Sequence, residues 1–167
     1  MKKTLLPLLL AAVVCGGLFV ERARADGDDT VQINTLYQQF ATACRHKDLN
    51  AIMAVYQHSN TLFVFDVGIP REHVGWQSYY DDWKAVLASI KGTPTFSISE
   101  LGMTISGDVA YTHSIQTMTG NIGKLHSLVV RVTDVLRKID GRWLIVEEHV
   151  SVPINFNTLK PDFTSAR

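Results

Sequence analysis

The chain has 167 residues, with 16 Lys and Arg against 16 Asp and Glu, so its formal net charge is +0 at neutral pH. That balance, with no basic stripe interleaved by aromatics, gives a nucleic-acid-binding role no electrostatic support. Two cysteines are too few for a disulfide framework, and a 46% hydrophobic composition is enough to build one ordinary core.

Met1-Lys2-Lys3, an apolar run from Leu5 to Val20 and the small-residue pattern Ala23-x-Ala25 have the three-part form of an export signal. Pro7 and Gly16-Gly17 interrupt the run, which is short for a membrane span. Cleavage after Ala25 would remove Cys15 and leave Cys44, with 12 basic and 15 acidic side chains and a net charge of −3. The expected organisation is a signal peptide over 1–25, one domain over 26–153 and a loose polar tail over 154–167. The expected location is periplasmic or secreted, without stable membrane insertion after cleavage.

Asp28, Asp29 and Thr30 offer N-caps for a first helix, along which Ile33, Leu36, Tyr37, Phe40 and Cys44 recur at helical spacing. Cys44 on that face reads as a buried, inert thiol. Asp48 caps a short second helix that turns Leu49, Ile52, Val55 and Tyr56 inward. Thr61–Asp66 reads as a strand broken by Gly68 and Pro70. A third helix is expected from about His73, with Trp76, Tyr80, Trp83, Leu87 and Ile90 in one stripe, ended by Gly92-Thr93-Pro94. The rest reads as a four-strand antiparallel meander: Thr95–Ile105, Val109–Thr119, Lys124–Ile139 and Arg142–Val152. The fold class is α+β, with three N-terminal helices packed on a strongly curved, mainly antiparallel sheet that encloses a pocket.

Three segments carry a family resemblance: Lys47-Asp-Leu-Asn-Ala-Ile52, Phe63-Val-Phe-Asp66-Val-Gly-x-Pro70, and Asp140-Gly-Arg-Trp143-Leu-Ile-Val-x-x-His149-x-Ser151. With the element order, they resemble the nuclear-transport-factor-2-like superfamily, including ketosteroid isomerases and SnoaL-like cyclases. The last segment is also similar to the association domain of calcium/calmodulin-dependent kinase II. The resemblance implies a cone-shaped fold. It places Asp66 on the isomerase general base and Asp134 on the isomerase acid that stays protonated and donates to substrate. The isomerase tyrosine falls near Phe40, which cannot donate a hydrogen bond, unless Tyr37 or Tyr56 substitutes for it. On the association domain, His113 and Asp134 stand where pocket arginines would be, so the pocket should be less cationic.

The candidate catalytic residues are therefore Asp66 as base, with His113 and Asp134 as donors or shuttles. Asp66 could equally be a turn-capping residue, and Asp134 could pair with Arg131 or Arg137. The candidate ligand wall is Phe40, Tyr56, Phe63, Trp76, Tyr80, Trp83 and His149. His149 depends on register. A two-residue Asp140-Gly141 turn sets Asp134 opposite Glu147 and puts His149 on Asp134's face, whereas a three-residue loop puts it on the other. No His-x-x-x-His or Cys-x-x-Cys pair and no nucleotide fingerprint occurs, so no metal and no cofactor are expected. The expected function is binding of a small, largely apolar or aromatic molecule, with no or weak catalysis, by a homodimer. The alternatives are an isomerase- or cyclase-like enzyme moving a proton next to a carbonyl, and an oligomerisation domain with a vestigial pocket.

Overall fold

The computed structural model describes the backbone of residues 13–164 and side chains from 27 to 164. The expected leader and its cleavage site lie outside the residues whose side chains are described. The first helix, α1 (Val13–His46), buries Ile33, Leu36, Tyr37, Phe40 and Cys44 on one face. The N-cap expected at Asp28–Thr30 does not form, because the helix runs through those residues. Asp29 is instead 5% exposed, and its Oδ1 accepts from Lys138 Nζ at 2.6 Å and Trp143 Nε1 at 3.0 Å. Burial pushes the Cys44 thiol up, as an inert core thiol requires.

Helix α2 (Leu49–Met53) begins where the sequence places it, with the Asp48 carboxylate accepting from the Ala51 amide at 3.0 Å. Strands β1 (Phe63–Phe65) and β2 (Glu72–Val74) pair antiparallel, with Val64 opposite His73. That pairing takes His73 out of the third helix, so α3 (Trp76–Ser89) starts three residues later than expected. Its cap is Gly75 at φ 86°, a left-handed conformation that suits glycine. The amides of Gly75 and Trp76 bond the carbonyls of Leu62 and Ser59, each at 2.8 Å.

Strand β3 (Ile90–Ser106) follows α3 directly. Gly92-Thr93-Pro94 is therefore not a break but an irregularity inside the strand, where the register slips between Lys91 and Thr95. A second slip lies between Ser99 and Gly102, and β4 (Val109–Ile122) slips between Thr119 and Ile122. Such bulges bend and twist the strands that carry them, and here they curl the sheet over the helices. With β5 (Leu125–Ile139) and β6 (Arg142–Ser151), the sheet order is β2-β1-β6-β5-β4-β3, antiparallel except where β1 lies parallel to β6. The tail is less loose than its composition suggests. Ile154–Asn155 (β7) and Lys160–Pro161 (β8) form a small hairpin, and Val129 N donates to Phe163 O at 2.8 Å. Among the described residues, no helix is long and apolar enough to cross a membrane.

The terminal hairpin decides which side chains face inward. Asp140 and Gly141 have φ 50° and 77°, the pattern of a two-residue type I′ turn, and Ile139 pairs with Arg142. Regular pairing continues to Leu136 opposite Ile145, and then Val135 pairs with Glu147. Val146 is the extra residue of a β-bulge. Beyond it, Asp134 faces Glu148 rather than Glu147, and Thr133 faces His149. The turn is the two-residue one, but the bulge reverses the faces that this turn alone implies.

Candidate functional site

Inside the curl is a cavity of about 210 Å³. Trp83 and Val86 of α3 wall one side, and Phe96, Met118, Val130, Val132 and Val150 of the sheet wall the other. Polar side chains interrupt this apolar lining, Tyr79 and Ser89 of α3 among them. Gln116 and Glu148 come from inward positions of β4 and β6, Asp66 follows β1, and Asp82 lies on α3.

Glu148 is the most buried of the acids that line the cavity, 3% exposed. Its Oε1 accepts from Tyr79 Oη at 2.5 Å and its Oε2 from Tyr56 Oη at 2.9 Å. Behind it, Asp134 is wholly buried, and its Oδ2 accepts from Tyr37 Oη at 2.6 Å. Thr112 Oγ1 lies 2.5 Å from the same phenol. The two carboxyls stand opposite each other on β5 and β6, close enough that the charge of Asp134 raises Glu148. No donor among the described residues reaches Asp134 Oδ1, which favours the protonated form of this buried pair.

Burial raises Asp134 to about 6, against the lowering effect of bonds from Tyr37, Glu148 and Thr112. Glu148 rises well above the usual carboxylate range, first through burial and then through the charge of Asp134. Two acids this close in a dry site cannot both ionise, so the pair retains a proton near neutrality. Burial and then the adjacent carboxyls also push the phenols of Tyr37, Tyr56 and Tyr79 well up, which keeps them as donors.

At the rim, Asp66, His73 and Asp82 converge from three elements, with candidate ligand atoms within 4.8 Å of one another. His73 Nε2 is 3.8 Å from Asp82 Oδ1, and His73 Nδ1 is 3.3 Å from Ser78 Oγ. Asp82 is raised by burial and then by the charge of Asp66, partly offset by His73.

The candidate residues from the sequence divide into three groups. Asp66 and Trp83 line the cavity. Asp134, Tyr56 and Phe40 are buried behind it: the first two act through the carboxyl network, and Phe40 packs edge-on against Tyr56, Trp83 and Phe96. The others are off the cavity. Trp76 and Tyr80 stack with each other and Trp76 with His58 at the start of α3, and the Trp76 indole donates to Met53 O at 3.2 Å. His113 is exposed on the outer face, lying over Gly102. Phe63 and His149 are outside as well, both in contact with Phe65. The cause is strand parity. Thr112 and Glu148 are the inward neighbours of His113 and His149, and Val64 is that of Phe63.

Glu148, Tyr79, His73, Asp82 and Gln116 are the site residues that the sequence did not single out. Tyr79 could have been found, since it widens the α3 stripe. Glu148 could not, because nothing in the hairpin marks Val146 as a bulge.

A family model described as a SnoaL-like domain matches residues 33–155. No curated protein matches the sequence. Among solved structures, the fold is similar to that of a nuclear-transport-factor-2-like protein of unknown function from Pseudomonas putida KT2440. That match has a TM-score of 0.74 at 23% identity, covering 82% of this chain and 95% of that one. A candidate dehydratase of the same superfamily from Streptomyces avermitilis superposes with a TM-score of 0.68 at 16% identity, covering 78% of this chain and 99% of that one. A candidate scytalone dehydratase from Novosphingobium aromaticivorans DSM 12444 gives a TM-score of 0.69 at 11% identity, covering 87% and 93%.

Proposed function

Since the chain belongs to the SnoaL-like domain family, within the nuclear-transport-factor-2-like superfamily, we propose that it binds a small, largely apolar molecule carrying a hydrogen-bonding oxygen. The observation that carries this reading is Glu148, a buried, proton-retaining acid set in a cavity otherwise walled by Trp83, Phe96, Met118 and valines. An apolar wall gives affinity without direction, and the few polar groups orient the guest. Glu148 and Gln116 are those groups, and they suit a neutral carbonyl or hydroxyl better than a carboxylate. The Phe40 position supports the weaker catalytic expectation, since Tyr37 spends its hydroxyl on Asp134 rather than on a guest.

Export after removal of 1–25 and action in the periplasm or outside the cell belong to this proposal and rest on the sequence of the leader. So does a homodimer, which the half-exposed aromatic pair Phe63 and Phe65 on the outer sheet face supports.

A second reading, proton transfer next to a carbonyl with Asp66 as base, is favoured by one further observation. Asp66 lines the cavity while Glu148 provides a protonated acid inside it. The test is calorimetry and thermal shift with small hydrophobic ketones, phenols and carboxylates on the purified protein. Binding predicts a saturable rise in melting temperature that is lost in Val132→Trp, which fills the cavity. The enzyme reading predicts turnover that vanishes in Asp66→Asn while binding survives. If no compound in the set shifts the wild-type protein, the binding reading fails.

A further inference from the structure

The rim holds a cluster that neither the apolar walls nor the carboxyl pair accounts for. Asp66, His73 and Asp82 come from the end of β1, from β2 and from α3, and one donor atom of each lies within 4.8 Å of the others. His73 is 4% exposed, deep enough that an unused ring nitrogen is costly. Its Nδ1 is 3.3 Å from Ser78 Oγ, which leaves Nε2 to the carboxylates. Nε2 stands 3.8 Å from Asp82 Oδ1, beyond hydrogen-bond reach. Two donors bound to one divalent ion at about 2.1 Å each stand roughly 3 to 4 Å apart. The observed gap is too long for a direct bond and fits an ion between the two groups. Among the described residues, no lysine or arginine comes within 4 Å of Asp66 or Asp82 to neutralise them.

We propose that Asp66, His73 and Asp82 bind a divalent transition cation at the cavity rim. One imidazole and two carboxylates suit zinc, manganese or ferrous iron better than magnesium or calcium, which favour all-oxygen sites. Two carboxylates balance the charge of the ion. Ser78 orients the imidazole as an outer-shell partner does in metal sites. Because Asp66 and Asp82 both line the cavity, the remaining coordination positions open toward a bound molecule and take an oxygen from it. The ligands lie on separate elements, which is why no local His pair announces them in the sequence. The proposal goes beyond the readings above: neither needs an ion, and with one bound Asp66 is a ligand rather than a free base.

The experiment is calorimetric titration of chelator-treated, dialysed protein with zinc chloride alone, then with manganese chloride. Cobalt(II) absorption reports the coordination of the same site. The proposal predicts one equivalent bound, at least about tenfold weaker binding in His73→Gln and in Asp82→Asn, and cobalt bands that both variants lose. Circular dichroism checks folding, and Asp82, at the rim, serves if the buried His73 variant does not fold. No saturable uptake overturns the proposal, and so does uptake by Asp82→Asn equal to that of wild type. No organic compound is present in these titrations, so their failure leaves the binding reading standing, and the reverse holds as well.

Discussion

Asp134 and Glu148 stand directly opposite each other on β5 and β6, with both side chains on the buried face. Tyr37 on one side and Tyr56 and Tyr79 on the other donate to the two carboxyls. A proton is thereby held where one face of the sheet meets both the first and third helices.

In acid both carboxyls are protonated, and stability should fall as pH rises through the range where the first of the two protons leaves. The folded Asp134 titrates at about 6, above its ordinary 3.8, so between those values the folded protein binds more protons than the unfolded chain. The stabilising proton is fully in place below the unfolded value and is lost as pH passes the folded one. A tenfold difference in proton affinity between the two states is worth about 1.4 kcal/mol, so Asp134→Asn should gain on wild type by on the order of 3 kcal/mol between pH 4 and 7. Urea denaturation of both proteins across that range measures it. A constant difference between them would refute the raised titration of Asp134.

Tyr56→Phe and Tyr79→Phe each remove one donor from Glu148 while keeping the ring in place. A bond to a buried acid contributes about 1.5–3 kcal/mol when the acid is charged and less when it is neutral. Each variant should lose about 1–2 kcal/mol at pH 5 and more at pH 8, where Glu148 has less of its proton. Equal losses at both pH values would mean that the phenols serve packing alone.

Asp29 ties α1 to the terminal hairpin through Lys138 and Trp143. Burial would raise its pKa, but bonds from those two residues outweigh that effect and lower it. The tie is therefore present above the ordinary aspartate range and is lost as pH falls through the depressed value. Asp29→Asn should cost about 1–2 kcal/mol at neutral pH, carried more by the buried indole bond than by the solvent-screened ammonium. Denaturation at pH 7 and pH 3 should show the difference shrinking in acid.

A methyl group added at Gly102 would meet the imidazole of His113 on the outer face. Gly102→Ala should cost about 1 kcal/mol, and His113→Ala in the same chain should return most of it. Additive losses in the double mutant would show that His113 already swings clear at no expense.

Much of the framework was legible in the sequence, because periodicity and caps act locally. The Asp48 cap, the α3 stripe from Trp76 to Leu87 and the Asp140-Gly141 turn each depend on a few adjacent residues, and each forms, whereas Ile90, expected on that stripe, opens β3. The inward position of Asp134 was legible too, from Val130, Val132 and Leu136 around it. The site was less so. Phe63, His113 and His149 lie on the wrong side of their strands for the cavity, and strand face depends on pairing partners distant in the chain. The rim cluster depends on β1–β2 pairing drawing His73 away from the helix that the local pattern assigns it to.

The Val146 bulge bears on how this hairpin is compared with others. Up to Ile145, counting residues from the tight turn identifies equivalent positions; past it, the same count lands one place out, on Glu147 instead of Glu148. The parallel neighbour β1 gives a sounder ruler, since Val64 sits beside Glu148 whatever the turn does. Roles transferred between relatives by distance from the turn alone would give the solvent-facing neighbour the work of the buried acid.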